Sequence, residues 1–202
     1  MIAIPRLCFF TLMISLAACS SPSVRYHTLV APSSEDVKAI QPAPFFIAVL
    51  PVGVPTQLDM PQMVVRQGKN DALVLENERW LSPLGDEIQT SLSTELVKRL
   101  DTQDVSGLAR TEAIPVIKIL VQVRRFDTWP GQFVKFEADW SLSLVNGEKR
   151  KRLVCSSQFT ENAPGGYTDM FLAQQQVIAR LATRIASTTR QWAGDGEERC
   201  NL

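Results

Sequence analysis

Period-two alternation is strongest after Pro115. Ile117, Ile119, Val121 and Val123 alternate with Lys118, Gln122 and Arg124, and Asp127 to Gly131 has turn composition. Val134, Phe136, Ala138, Trp140, Leu142 and Leu144 then alternate with Lys135, Glu137, Asp139, Ser141 and Ser143. Such alternation predicts strands with one buried face. Asn146-Gly147 is a strong hairpin turn, and Leu153 to Thr160 returns as a third strand. Earlier, Phe45 to Leu50 is a continuous apolar run ending at Pro51, which predicts a central strand. Met63–Gln67 and Ala72–Glu76 flank the turn-forming Gly68-Lys69-Asn70-Asp71 and read as a hairpin.

Two segments carry helical spacing instead. Leu84, Ile88, Leu92, Leu96 and Leu100 recur every fourth residue after Ser82-Pro83, which predicts Ser82 as N-cap and Pro83 in the first turn. Phe171, Gln174, Ile178, Leu181, Ile185 and Trp192 form a second stripe, starting near Thr168-Asp169. The order β-ββ-α-βββ-α predicts one α+β domain over residues 44–193, with a mostly antiparallel or mixed sheet and two helices packed on one face. Residues 194–202 are left as a C-terminal tail.

The start of the chain has a different pattern. Arg6 is the only charge before Leu7–Leu16, a mostly apolar run too short for the roughly 20 residues of a spanning helix. A short positive start, a short apolar middle and small residues after it form a signal peptide over 1–18. Leu16-Ala17-Ala18-Cys19 matches the bacterial lipobox, so Cys19 is the expected lipidation site and new N-terminus. No other cofactor is expected beyond the diacylglycerol and acyl chain it would carry. Each buried methylene contributes about 0.8 kcal/mol to anchoring. Ser20, by resemblance to enterobacterial lipoproteins, favours passage to the outer membrane. Residues 19–43, rich in serine and proline, read as a tether reaching roughly 25–30 Å, with one short extended piece near Tyr26–Val30.

Charge and chemistry narrow the picture further. Lys and Arg balance Asp and Glu at 21 each, which gives no electrostatic basis for general nucleic-acid binding. The single histidine, His27, lies in the expected tether, so a His-based nucleophilic triad is not expected. No phosphate loop, nucleophile elbow or metal-ligand spacing is present, so no catalytic or metal residues are assigned. Cys8 leaves with the signal. Cys155 and Cys200 remain as an even pair, either bonded, closing a loop of about 45 residues, or free thiols. The run Lys149-Arg150-Lys151-Arg152 is either a contact for anionic headgroups or an acidic partner, or a solvated turn guarding a strand. Phe126, Trp129 and Phe133 are either a contact surface or a satellite core.

Several segments, in order, resemble the ABC-type transport auxiliary lipoproteins, and most closely their PqiC-like members. Leu58-Asp59-Met60-Pro61-Gln62-Met63-Val64-Val65-Arg66 resembles the family's Leu-Asp-x-Pro-Gln-φ-Val-x-Arg segment. Trp80-Leu81-Ser82-Pro83-Leu84 resembles the start of its first helix. Val123–Asp127 and Val134–Trp140 resemble its paired strands, and Gly166–Met170 the start of its last helix. Met60 stands where many members carry a basic residue, and the tail with Cys200 has no counterpart in the pattern. The resemblance implies a non-catalytic lipoprotein that works with an MCE-domain protein and an integral inner-membrane transporter subunit in moving lipid between membranes. Leu58, Pro61, Gln62, Arg66 and Trp129 are then candidate partner contacts, though the 58–66 stretch could instead serve folding alone. A homo-oligomer is compatible with this. Rival readings are a lipid-binding carrier and a structural envelope or secretion lipoprotein.

Overall fold

In the computed structural model, residues 23–32, 41–108, 114–146, 149–195 and 199–200 are described. Cys19, the signal segment and the Gly147 turn lie outside them. The elements are β1 (Arg25–His27), β2 (Phe46–Val49), a 3₁₀ turn (Thr56–Leu58), β3 (Gln62–Arg66), β4 (Ala72–Trp80), α1 (Leu84–Leu100), β5 (Val116–Trp129), β6 (Phe133–Asn146), β7 (Lys149–Asn162) and α2 (Tyr167–Asp195). The class is α+β in the order read from the sequence, and the strands are shared between two mixed sheets. One sheet runs β1-β4-β3 and the other β2-β5-β6-β7.

The larger sheet is built on the long β5–β6–β7 meander, antiparallel throughout, with β2 added parallel to β5. Its inward positions, among them Ile117, Ile119, Val121, Phe136, Trp140, Leu142 and Phe159, are buried beneath the helices. β5 extends to Trp129, past the expected turn at Asp127, because Asp127 and Thr128 continue the pairing with Lys135 and Val134. The turn itself is confined to Pro130–Gln132, where Gly131 takes φ +75°, a left-handed conformation that glycine adopts without a Cβ penalty.

β2 is an edge strand, a correction to the central placement. Its continuous burial comes from the chain that follows α1. Ile47 N–H donates to the Gln103 carbonyl at 3.0 Å, and Val105 N–H to the Ile47 carbonyl at 2.8 Å. Both sides of β2 are therefore covered without a second full strand, and an apolar run cannot distinguish the two cases.

α1 begins one residue later than Ser82 as N-cap would require. The Pro83 carbonyl accepts from Asp86 and Glu87 N–H, and the Ser82 hydroxyl donates to Glu87 Oε1 at 2.7 Å. The helix ends at Asp101 in the left-handed region (φ 48°). α1 and α2 run in the same direction, tied near their ends by Arg190, which donates to the Leu100 carbonyl at 3.0 Å.

The expected tether over 19–43 needs a second correction. Residues 25–30 belong to the domain: β1 pairs parallel with β4, and Leu29 is buried in the core. Glu87 Oε2 accepts from Leu29 N–H (2.9 Å) and the Thr28 hydroxyl (2.7 Å). Ser91 Oγ donates to the Leu29 carbonyl (2.9 Å), and Gln175 Nε2 to that of Thr28 (3.1 Å). At the other end, Cys200 is disulfide-bonded to Cys155, with Cα atoms 5.7 Å apart, so the last described residues return to β7.

Candidate functional site

The two sheets meet where β3 approaches the outer half of β5. A β-bulge falls at Val123/Arg125, so Arg124 and Arg125 are both exposed before alternation resumes with buried Phe126. Bulges re-aim side chains, and this one turns two guanidiniums toward the seam. The result is a groove of about 390 Å³ lined by the 3₁₀ turn, by Val64 and Arg66 of β3, by Ala72 and Val74 of β4, and by Arg124–Thr128. Leu58, Val64, Val74 and Phe126 supply apolar surface.

Charges ring these apolar residues in alternating sign. Arg66 Nε donates to Asp127 Oδ1 and Arg125 Nη1 to Asp127 Oδ2, each at 3.0 Å. Arg125 also lies 3.3 Å from Glu137, which Lys135 approaches at 3.0 Å. Arg124 pairs with Asp139 at 2.6 Å. The hydrogen bond from Lys135 holds the Glu137 carboxyl below its usual range against partial burial, with Arg125 adding to the effect. The Ser156 hydroxyl, then Arg124, does the same for Asp139. Below the groove, Gln174 of α2 donates to Thr128 Oγ1 at 2.9 Å, tying the last helix to its floor.

The 58–66 stretch is divided by this geometry. Met63 and Val65 point into the core and serve folding. Leu58 and Arg66 face the groove, and Gln62 lines a small cavity beneath it beside Gln174. Pro61 lies apart, in a second hollow of about 310 Å³ with Tyr26, Met60, Arg79, Leu81 and Pro83. Trp129 is not in the groove: it is half-buried at the β5–β6 turn, 5.8 Å from Phe133 between ring centroids. Phe126 is a core residue, edge-on to Phe136 at 5.4 Å. Lys151 and Arg152 are exposed on β7.

Sequence reading missed the cluster around β1. Glu78 is buried, ion-paired with Arg25, and its Oε2 lies 2.6 Å from His27 Nε2. The His27 ring stacks on Phe171 at 3.7 Å, and Phe171 in turn on Tyr167 at 6.4 Å. Burial alone would raise the Glu78 pKa; hydrogen bonds from Arg25 and His27 outweigh it and hold the carboxyl below 4.5. The unfolded chain then takes up this proton first as pH falls, so the stabilisation is complete above 4.5 and is lost as pH drops toward the folded value. Glu78→Gln is expected to lower the melting temperature at neutral pH, with the gap to the parent protein closing below pH 4.5. A gap that stays constant through that range would mean the charge on Glu78 contributes nothing.

Fold and groove together define an α+β domain of two mixed sheets and two parallel helices, with an apolar, ion-paired groove at the sheet seam. None of the described helices is long and apolar enough to cross a membrane, and no metal-ligating cluster occurs among the described residues. The family model of the ABC-type transport auxiliary lipoprotein component matches residues 27–186, and the chain belongs to that family. The match begins within β1, in keeping with its place in the domain. The fold is similar to protein XCC0632 from Xanthomonas campestris, a DUF330 protein, at 16% identity and TM-score 0.59, covering 88% of this chain and 97% of that one. It is also similar to the crystal structure of an uncharacterized protein at 17% identity and TM-score 0.65, covering 83% and 99%. No curated protein matches the chain. The protein is thus an auxiliary lipoprotein component of ABC-type transport.

Proposed function

We propose that this chain is the non-catalytic, outer-membrane subunit of an MCE-type intermembrane lipid transport system, in the manner of the PqiC-like lipoproteins. Acylated Cys19 holds it at the membrane with the domain facing the periplasm. The groove receives a segment of the periplasmic MCE-domain protein, whose other end meets the integral inner-membrane subunit. The observation that carries this reading is a convergence. Two separate segments that resemble the family, Leu58–Arg66 and Val123–Asp127, meet at one groove, which Leu58, Val64 and Arg66 of the first and Arg124–Asp127 of the second line. Apolar walls rimmed by paired charges suit a protein segment, because truncating a buried anchor at such a surface typically costs 1 kcal/mol or more.

Val74→Asp is the direct test, because Val74 is already 38% exposed and its replacement leaves the core intact. Crosslinked pull-down of the acylated protein from membranes is expected to recover an MCE-domain protein. The Val74→Asp variant should recover roughly tenfold less, as about 1.4 kcal/mol of lost binding requires. Its melting temperature should be unchanged, and Lys151→Ala should bind as the parent does. Undiminished recovery would remove the groove from the interface, and absence of any MCE protein would overturn the reading.

A groove of about 390 Å³ also falls in the size range of small-ligand sites, which favours the lipid-carrier reading as the alternative. That reading requires stoichiometric phospholipid in native mass spectra of the purified domain, displaced by Val74→Asp.

A further inference from the structure

The domain has a second exposed apolar region, at the end where the anchor emerges. Tyr26 is paired with Arg79 in the β1–β4 register, and the Leu81 N–H donates to the His27 carbonyl at 2.9 Å. Strand alternation puts Tyr26, Arg79 and Leu81 on the outer face of the small sheet, where they line one hollow with Met60 and Pro61. Tyr26 is 60% exposed and Leu81 67%. On the other side of β1, Tyr167 is also exposed, stacked through Phe171 onto His27. The chain has two tyrosines: Tyr26 is the middle residue of this strand, and Tyr167 lies beside it through Phe171 and His27. Tyrosine is enriched where protein meets the membrane–water interface, because its ring is apolar and its tip is polar.

The length of chain outside the domain identifies what covers this face. With β1 fixed to β4, only residues 20–24 separate Cys19 from Arg25. Even fully extended, that connection spans about 20 Å. A much longer tether would leave the domain free to tumble; this one keeps the β1 end close to the acyl chains at all times.

We propose that the Tyr26–Leu81 face seats on the lipid bilayer that holds the anchor, placing both side chains at headgroup depth. This rests on acylation of Cys19, proposed above. The exposed residues are then a second membrane contact, and the domain stands in one orientation.

The acylated protein in phosphatidylcholine–phosphatidylglycerol vesicles provides the test. With Cys19 blocked by lipid and Cys155 bonded to Cys200, a single new cysteine takes an environment-sensitive fluorophore at Tyr26→Cys, Leu81→Cys, Leu108→Cys or Leu120→Cys. A headgroup-borne quencher is expected to quench positions 26 and 81 several-fold more than 108 and 120. Adding Leu81→Asp to the Tyr26→Cys protein should abolish that excess and leave the melting temperature unchanged, since Leu81 lies mostly in solvent. Vesicle flotation separates the two ideas. Protein that floats with equal quenching at all four sites keeps its anchor but lacks the seat, leaving the face to a protein partner and overturning the proposal. Protein that does not float overturns both the anchor and the seat.

Discussion

Glu87→Ala is expected to destabilise the protein by about 3 kcal/mol, because it strands several donors at once, a buried backbone amide among them. The Glu87 carboxylate is buried and accepts four hydrogen bonds: from the Thr28 hydroxyl, Leu29 N–H, Ser82 N–H and the Ser82 hydroxyl. It also lies in the first turn of α1, where the helix dipole favours negative charge. Water can partly replace the carboxylate at the half-exposed Ser82, but not at Leu29, whose side chain is core and whose amide is buried with it. The loss should therefore be local first. Hydrogen exchange at the Leu29 amide is expected to accelerate before the β5–β7 amides respond, and chemical denaturation should give the full cost. Glu87→Gln retains one acceptor oxygen and should fall between. A cost below about 1 kcal/mol with Leu29 still protected would mean that the segment is held by its strand pairing and by Glu78, Ser91 and Gln175, without need of Glu87.

Cys200→Ser is expected to lower the melting temperature by roughly 10 °C. The Cys155–Cys200 bond closes a loop with a sequence separation of 45, worth about 4 kcal/mol in the chain-entropy account. For a chain of this size, 1 kcal/mol corresponds to roughly 2–4 °C. The loop contains all of α2, so reduction frees the helix in the unfolded ensemble and leaves its folded packing unchanged. Cys155 is buried on the inner side of β7, and serine there would also place a hydroxyl in the core. The change at Cys200 is therefore the cleaner variant. Parent and variant melts should coincide in reductant. A difference that persists there would show that the tail acts through packing and that the covalent link is not the cause.

The elements with strong periodicity were legible in advance. Leucine or isoleucine at every fourth position fixed the face of α1, and the alternation in β5 and β6 fixed which side the helices cover. What escaped was set by partners distant in sequence. Arg25-Tyr26-His27 is too short and too polar to announce more than an extended piece of tether, and its place in a sheet of the domain was not legible. It is a strand there because Glu78, Glu87 and Gln175 hold it, and none of them is a neighbour in the chain. The groove escaped for a related reason. Leu58 and Arg66 were visible as members of a motif, but their convergence with Arg124 and Arg125 depends on a bulge that breaks the alternation locally. Trp129 was picked out for its place at a turn tip. The tip is real, yet the ring lies against Phe133, away from the groove residues.

The long meander also fixes the height at which charge is displayed. β6 pairs with β5 at the Val134–Thr128 position and with β7 at the Ser143–Arg152 position. The nine residue steps between Val134 and Ser143 correspond to about 30 Å of strand. Gln174 places the first of these levels beside the start of α2, the end that carries β1. If that end rests on lipid, Lys151 and Arg152 stand far above the bilayer, several times the roughly 8 Å over which charges act in physiological salt. In that orientation the domain would stand as a mast, with tyrosine at its foot and Lys151 and Arg152 held away from the bilayer.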